Sequence, residues 1–498
     1  MWVDRFLRIC IGLLSFGPIG VMGCGTHANP FGPGGDAAAG DTSSSPSDPS
    51  GDGSGTFGGG GADALAPTCS NGNGWSCQID TACGSSPTTL TGRVYDPAGS
   101  NPLYNVVVFI PNSVASLPTI TPGTHTCNRC DTSIGDYVVA TTTDATGSFT
   151  LQGVPTGKGV PVTVQMGKWR RTASVDIQSC TTTTVPSGAL RLPRNKSEGD
   201  MPQMALLTGG CDDLGCFMTN IGIDPAEFSP PKAGGRVDVY QGRGLVGNGA
   251  ALSNGAAGNC TGNSCSLWSS KQSFEYYDIA IFSCECGEQT NTNESTAAYT
   301  NLTDWLNEGG KVFASHYHYT WFKNNPDADF QGVATWLGSS VASGSGTYDL
   351  NTAFPKGATF GDWLKNVNAL AANGTPPTIE LQSVASSVSS VNKSATQWIY
   401  DPSTNPNDTK YLSFETPIGG VSDPDAGPEA PPQYCGKAVF TDLHTSSSLL
   451  STVSSIPAGC SKATLTPQQK ALEFLFFDLS ACVTNDTIPP PAPPPSPK

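Results

Sequence analysis

Seventeen cysteines distributed over 498 residues constrain the fold of this chain more than any other feature. Such a number is rare in a reducing compartment and typical of exported proteins that form disulfides. Zinc is the alternative for closely spaced pairs, but a structural zinc site needs two such pairs brought together. A bridge between Cys435 and Cys460, around a late strand, is the one specific pairing that we predict. The candidate disulfide cysteines are Cys127, Cys130, Cys211, Cys216, Cys260, Cys265, Cys284, Cys286, Cys435 and Cys460.

The N-terminus has the pattern of an export signal. Arg5 and Arg8 are followed by a short apolar stretch over 9–21, too short for a membrane span of about 20 residues. The run Val21-Met-Gly-Cys24 resembles a bacterial lipobox, which implies a lipoprotein signal peptide over 1–23 and lipidation of Cys24. A glycine follows this cysteine, as in lipoproteins sent to the outer membrane. We therefore expect an outer-membrane lipoprotein of the cell envelope, either periplasmic or surface-exposed.

The mature chain would hold an odd number of cysteines. Without Cys10 of the signal and the lipidated Cys24, fifteen remain. At least one thiol must therefore stay free or pair with another chain. Cys284 is a possible nucleophile, but Cys286 lies two residues away, and in an oxidising compartment a disulfide is the favoured interpretation.

Charge excludes one class of partner. The formal net charge is −16, only 13% of the residues are charged, and the chain has no basic run. A nucleic-acid partner is therefore not expected, because binding a polyanion needs clustered Lys and Arg. Beyond the signal no apolar run is long enough for a membrane span, so the membrane is expected to be reached only through the N-terminal lipid.

Composition divides the chain into segments. Residues 24–67 are rich in Gly, Ser, Asp and Pro and predict a disordered tether, because they contain too few large apolar residues to offset the entropy of ordering. Residues 68–87 form a short cysteine-bearing lead-in, and 486–498 form a proline-rich tail. Two folded regions lie between these ends, so a multidomain protein is expected.

The first folded region, 88–196, alternates apolar and polar residues in short stretches separated by turn residues, which indicates an all-β sandwich. It resembles the carboxypeptidase-regulatory-like family of prealbumin-like sandwiches. The resemblance rests on Leu90-Thr-Gly-Arg-Val, on the turn Thr143-Asp-Ala-Thr-Gly-Ser-Phe, and on Val154-Pro-Thr-Gly. It implies a spacer or stabilising domain and says little about activity.

The second region, 200–485, contains near-continuous apolar strands and helical segments. This pattern predicts an α/β domain with a parallel sheet. Helices are predicted from Thr296 to Glu308 and from Thr466 to Leu479, where Pro467 would take the first helical position. The stretch from about 322 to 434, rich in Ser, Asn and Pro, predicts a large insertion of mixed structure.

Polar side chains follow the predicted strands of this region, where open α/β sheets gather their ligands. We take seven of them as candidate binding residues. Alternatively, the histidines are ordinary polar residues hydrogen-bonded at strand ends, and the two adjacent aspartates cap the helix that follows them. The candidates are Asp212, Asp213, Glu285, His316, His318, Asp442 and His444.

Three stretches resemble the ThuA-like branch of the class I glutamine-amidotransferase-like fold. They are Tyr277-Asp-Ile-Ala-Ile-Phe, Leu306-Asn-Glu-Gly-Gly-Lys-Val-Phe-Ala-Ser-His and Gly436-Lys-Ala-Val-Phe-Thr-Asp-Leu-His. The resemblance implies a flavodoxin-like sheet and makes His316 and His444 the candidate catalytic residues. In that family a nucleophilic cysteine stands at or beside the place of His316, and an acid stands where this chain has Ser446. The hydrolytic triad is therefore incomplete.

These observations favour a non-catalytic binding or structural module for a glycan or an envelope protein. The alternative is a hydrolase or sugar-processing enzyme that uses the histidine cluster. No cofactor is expected, although His316, His318 and His444 are candidate ligands for a divalent metal. The sharpest expectation is that His316 and His444 lie within side-chain reach of each other across neighbouring strand ends.

Overall fold

The computed structural model describes residues 69, 74–123, 127, 134–244, 247–262, 264–288, 294–338, 344–421, 432–445 and 450–490. The predicted signal peptide, the tether, Cys24 and Cys130 lie outside these ranges. Across the described residues the protein consists mainly of β-sheets with fewer helices. None of these helices has both the length and the apolar character needed to cross a membrane.

The first region forms two four-stranded sheets with the neighbour orders β4-β1-β7, in which β8 also pairs with β1, and β3-β2-β5-β6. Strand β4 alternates as the sequence indicates, with Phe149 and Leu151 buried between partly or fully exposed neighbours, whereas β5 is buried continuously from Val160 to Met166. Apolar side chains from both sheets join one core cluster. The strands are β1 Thr89–Tyr95, β2 Val107–Pro111, β3 Tyr137–Thr142, β4 Ser148–Gln152, β5 Gly157–Met166, β6 Trp169–Ile177, β7 Thr182–Thr184 and β8 Leu190–Arg191.

The second region is built on one large mixed sheet and several short strand pairs. The strands are β9 Met204–Thr208, β10 Phe228–Ser229, β11 Val237–Gln241, β12 Arg243–Gly244, β13 Gly247–Asn248, β14 Ala251–Leu252, β15 Gly258–Asn259, β16 Ile279–Phe282, β17 Lys311–Ser315, β18 Ala334–Trp336, β19 Gly344–Leu350, β20 Thr378–Val384, β21 Val388–Val391, β22 Thr396–Asp401, β23 Asp408–Thr416, β24 Gly436–Thr441 and β25 Ser455–Ile456. The helices are α1 Leu214–Asn220, α2 Lys271–Phe274, α3 Thr296–Asn307, α4 Thr320–Lys323, α5 Ala328–Gln331, α6 Pro355–Asn366 and α7 Pro467–Ser480.

The main path of the large sheet runs β10-β11-β9-β16-β17-β24-β23-β22-β19-β20. From β10 to β24 each strand is parallel to its neighbours, and from β24 onward the pairing is antiparallel. Strands β9, β16 and β17 are buried along their whole length, as continuous apolar sequences predict. The antiparallel half comes mostly from the stretch predicted as an insertion.

Helix α7 connects the two regions. Thr466 caps it in a reciprocal box with Gln469, and Pro467 occupies its first turn, as the sequence predicts. One side of the helix packs on the large sheet. The other side meets the first region, where Phe474 stacks on Tyr104 and Phe477 packs edge-on against Trp169, each at 6.1 Å between ring centroids. Side chains of both regions consequently belong to the same apolar core.

A fully buried ion network lies beside α7. Lys356 Nζ is 3.0 Å from Asp478 and 2.9 Å from Asp486. Lys437 Nζ contacts the same two carboxylates at 2.6 and 2.5 Å. Although burial alone raises carboxyl pKa values, the two lysines hold the pKa values of Asp478 and Asp486 below their usual range. Asp486, at the start of the predicted tail, is therefore part of the core.

Six disulfides cross-link the described residues, in agreement with the expectation from cysteine number. The predicted Cys435–Cys460 bridge is wrong, because each cysteine pairs with a residue from a distant part of the chain. Of the four candidate pairs 127/130, 211/216, 260/265 and 284/286, only Cys260 and Cys265 bond to each other in the described residues. The disulfides are Cys69–Cys77, Cys83–Cys180, Cys127–Cys435, Cys211–Cys286, Cys216–Cys460 and Cys260–Cys265.

Candidate functional site

The carboxyl ends of β9, β16, β17 and β24 lie side by side, because these strands are parallel neighbours. The residues that follow three of them meet in one buried group. Cys284 Sγ is 3.5 Å from His316 Nδ1, and His316 Nδ1 is 3.2 Å from His444 Nε2. The two imidazole rings are nearly perpendicular, with centroids 5.0 Å apart. The structure thus places His316 and His444 in direct contact.

His316 has an unusual backbone conformation. Strand β17 ends at Ser315, and His316 follows with φ +42° at the start of a short 3-10 helix. Non-glycine residues in this region cost of the order of 1–3 kcal/mol and tend to occur where the surrounding structure fixes them. The sharp turn directs the imidazole across the strand ends, where the Tyr317 ring packs against it at 4.2 Å between centroids.

A carbonyl from the predicted insertion orients the second imidazole. His444 Nδ1 lies 2.7 Å from the Ser383 carbonyl oxygen, so Nδ1 carries the proton and donates it. The hydrogen-bond network therefore assigns Nε2 as the unprotonated nitrogen, with its lone pair facing His316. His316 is neutral, because burial, together with the nearby His444 and His318, lowers its pKa to about 2.

Cys284 is a free thiol in the described part of the chain. The expectation that it forms a disulfide is wrong, because its neighbour Cys286 pairs with Cys211 across the ends of β9 and β16. The backbone N–H groups of Cys286 and Tyr317 donate to the Cys284 sulfur. Burial nevertheless raises the pKa of the thiol above its usual value, and the charge of Asp212 adds to the effect.

His318 does not join this group. Its Nε2 donates to the Ser283 carbonyl at 2.9 Å, and its Nδ1 accepts from Trp321 Nε1 at 3.2 Å. Burial lowers its pKa to about 4, so the ring is neutral. It lies instead beside two buried acids, Glu285 and Glu294. Since both ring nitrogens are engaged, the three predicted histidines do not form one ligand set.

Asp212 and Asp213 do not cap helix α1, contrary to the favoured sequence interpretation. Asp212 accepts from Ser315 Oγ at 2.6 Å and from Thr445 N and Oγ1 at 2.9 and 2.6 Å, thereby joining the ends of three parallel strands. Asp213 stands at the N-cap position, but its carboxylate accepts from Ser451 Oγ. Hydroxyl donors from neighbouring strand ends replace the helix N–H groups as partners.

The other two predicted acids are also bonded away from the imidazole pair. Glu285 accepts from Arg243 N at 2.5 Å, and burial raises its pKa to about 8. Asp442 accepts from the backbone N–H and the hydroxyl of Ser387, both at 2.7 Å, and burial raises its pKa to about 6. Both carboxyls therefore have structural partners of their own.

Sequence reasoning missed two members of the site. The sequence favours a disulfide for Cys284 over a free nucleophilic thiol, although the odd cysteine count requires at least one thiol that is free or paired with another chain. The contact with the Ser383 carbonyl cannot be predicted from the sequence, because every residue has a backbone carbonyl and the residue type does not reveal which one at the end of β20 meets His444.

Comparisons with protein-family models, with curated proteins and with solved structures found no match. The geometry of the site therefore carries the functional argument.

Proposed function

We propose that this protein is a lipid-anchored protein of the cell envelope, exported to the outer membrane, whose second region is a non-catalytic binding or structural module. The observation that carries this proposal is the closure of the strand-end group. Cys284 and His444 are 0% exposed and His316 is 3% exposed. A catalytic nucleophile or base must reach its substrate, and the surrounding protein covers these three side chains almost completely.

The arrangement of strands supports a finer proposal for the two regions. The order β11-β9-β16-β17-β24 corresponds to the flavodoxin-like order 2-1-3-4-5. It supports a glutamine-amidotransferase-like, ThuA-like domain over 200–485. The two sheets with a shared core support a prealbumin-like, carboxypeptidase-regulatory-like sandwich over 88–196. In such a scheme His316 occupies the sharp turn used elsewhere for a nucleophile, and Ser446 replaces the acid.

Export and membrane attachment are proposed from the disulfides and from the N-terminal sequence. Six disulfides favour an oxidising space, as does the signal-like N-terminus. Cys24 would carry the lipid, and the tether 24–67 would hold the folded part away from the membrane. The partner is proposed to be a glycan or another envelope protein, since the net charge of −16 disfavours nucleic acid.

Turnover assays test the non-catalytic assignment. The full chain, released in detergent, is screened with chromogenic glycosides, esters and amides, alongside His444→Gln and the matched variant His318→Gln. We expect rates equal to the buffer background for all three proteins. Turnover that disappears in His444→Gln and persists in His318→Gln would overturn the proposal.

One observation favours a second candidate, a hydrolase. A thiol 3.5 Å from an imidazole nitrogen has nearly the spacing of a nucleophile and its base. This function requires the site to open, which alkylation measures. Native protein is treated with iodoacetamide at several pH values, and Cys284 modification is quantified by mass spectrometry. Modification at the rate of a free cysteine peptide would support the hydrolase, and protection of at least 100-fold would support the closed module.

A further inference from the structure

We infer that Cys284, His316 and His444 together bind one thiophilic transition-metal ion of the zinc and copper class. This inference goes beyond the proposed function and does not depend on it, because the ion would sit inside the fold whatever partner the protein binds. The three ligand atoms, one sulfur and two ring nitrogens, all lie within 4.8 Å of one another.

The separations fit a single shared ion. Zinc bonds of 2.0–2.3 Å at tetrahedral angles place neighbouring ligand atoms about 3.3–3.8 Å apart. Here the Sγ–Nδ1 distance is 3.5 Å and the Nδ1–Nε2 distance is 3.2 Å. These two separations would need to change by only a few tenths of an ångström, and the third, between Cys284 Sγ and His444 Nε2, lies within 4.8 Å.

Without a cation, the protons available in the group can satisfy only one of its two contacts, Cys284–His316 or His316–His444. In the neutral ring of His444, Nδ1 holds the proton that is donated to the Ser383 carbonyl, so the lone pair is on Nε2. If His316 Nδ1 carries a proton, it can donate to His444 but then faces Cys284 with no lone pair for the S–H. If His316 Nδ1 carries no proton, it accepts the Cys284 S–H. Its own lone pair then faces the lone pair of His444 Nε2, which is repulsive. A cation at the centre satisfies all three atoms simultaneously.

The surroundings match those of metal ligands. A ligating histidine usually donates its other ring N–H to a carbonyl or carboxylate, and His444 donates to Ser383 O at 2.7 Å. Two backbone N–H groups point at the Cys284 sulfur and would stabilise a thiolate. On binding, the metal displaces the thiol proton, which passes to solvent, and no electron is transferred. The coordinated thiolate is then also protected from oxidation.

Ligand chemistry selects the class of metal. A thiolate with two imidazoles suits zinc and copper, whereas calcium and magnesium require oxygen ligands. In the described residues, no fourth Cys, His, Asp or Glu belongs to this group. Copper in a three-coordinate site and zinc with an added water both remain compatible with this set, and the test separates them.

The first experiment measures metal in the full chain purified without chelators. Elemental analysis should find close to one zinc or copper per molecule, and the ratio of the two elements identifies the ion. Replacement by Co²⁺ should give an intense near-ultraviolet thiolate-to-cobalt band together with visible bands of a four-coordinate ion. This spectrum reports ligation by sulfur in the native protein and needs no variant.

The second experiment uses Cys284→Ser and His444→Gln, with His318→Gln as the matched control. The first two should lower metal affinity at least 10- to 100-fold, whereas His318→Gln should retain the stoichiometry. Circular dichroism checks that each variant is folded. Loss of metal in His318→Gln with retention in Cys284→Ser would overturn the assigned ligand set.

One set of results would reject the site altogether. They are a metal content below about a tenth of an equivalent, no cobalt–thiolate band, and alkylation of Cys284 during refolding at a rate that added zinc does not lower. Turnover in the enzyme screen without metal would contradict the proposed function and leave the metal inference intact, so the two failures are distinguishable.

Discussion

Asp96 of the first region and Glu473 of helix α7 share a buried carboxyl–carboxyl contact. Asp96 Oδ1 accepts from Ser100 N, and Glu473 Oε2 accepts from Asn101 Nδ2 at 2.6 Å. The remaining oxygens, Asp96 Oδ2 and Glu473 Oε1, are buried and have no partner among the described residues when both groups are ionised. A proton held between them supplies the missing hydrogen bond.

This pair predicts that stability falls as pH rises. Burial raises the pKa of Asp96 to about 6, and burial together with Asp96 raises that of Glu473 well above its usual value, against the opposing effects of the Asn101 hydrogen bond and of Lys470. The folded state thus holds more protons than the unfolded state above about pH 4, the ordinary carboxyl pKa. The pair's stabilisation is present below that pH and is lost as pH rises through the folded values. Thermal unfolding from pH 4.5 to 8.5 should show this decline.

Glu473→Gln should flatten that profile, because an amide can donate to Asp96 without titrating. The matched control is Asp362→Asn on the exposed face of α6, which should leave the slope unchanged. The interpretation is wrong if Glu473→Gln keeps the full pH dependence of the parent protein.

The buried ion network predicts a large cost for removing one cation. Lys437→Ala would leave Asp478 and Asp486 with Lys356 as their remaining lysine partner. An uncompensated buried charge typically costs about 3–5 kcal/mol. Denaturant unfolding should give a loss of this size, whereas Lys462→Ala at an exposed site should change stability by less than about 0.5 kcal/mol. Equal effects in the two variants would contradict a role for the network.

The disulfide pattern is directly measurable. Non-reducing peptide mapping should recover the Cys127–Cys435 and Cys216–Cys460 cross-links and none between Cys435 and Cys460. Replacing Cys127 and Cys435 together by serine should cost roughly 2–5 kcal/mol, because the bond closes a very long loop in the unfolded chain. Replacing the Cys260–Cys265 pair, whose loop is short, should cost less. Equal losses would indicate that loop closure does not explain the stabilisation.

Lipidation predicts a change in location. Cys24→Ala should lose its fatty-acid label and move from the membrane fraction to the soluble fraction. The reason is that membrane attachment is proposed to depend on the acyl chains alone. Metabolic labelling followed by fractionation checks both outcomes, with Cys10→Ala as the matched control. A Cys24→Ala protein that stays labelled and membrane-bound would exclude the lipobox.

Regular elements could be predicted from sequence because their signals are local. Helix α3 was expected to end at Glu308 and ends at Asn307. Helix α7 begins at Pro467, one residue after its predicted Thr466 start. The contact between His316 and His444 could be predicted from topology. The two residues follow β17 and β24, which are buried and are parallel neighbours in the sheet.

The remainder depended on contacts between distant parts of the chain. Cysteine spacing cannot give connectivity, so Cys435 was assigned to Cys460 when its partner lies 308 residues away. The free state of Cys284 depends on Cys211 reaching Cys286, which only the folded strand order determines. The sequence favours Asp212 as a cap of the following helix. In the structure its carboxylate instead accepts hydrogen bonds from the hydroxyls of Ser315 and Thr445 at neighbouring strand ends.

The long-range disulfides also determine how the molecule would carry mechanical load. Tension applied between its two ends would pass directly from Cys83 to Cys180 and from Cys216 to Cys460 through covalent bonds. Residues 84–179 and 217–459, which contain most strands of both regions and the thiol–imidazole group, lie inside these loops and would be shielded from the pull, whereas strand β9 and helix α7 lie outside them. Tension between the two ends would therefore act on β7, β8, β9 and α7, while the strands inside the loops would stay closed off by covalent bonds.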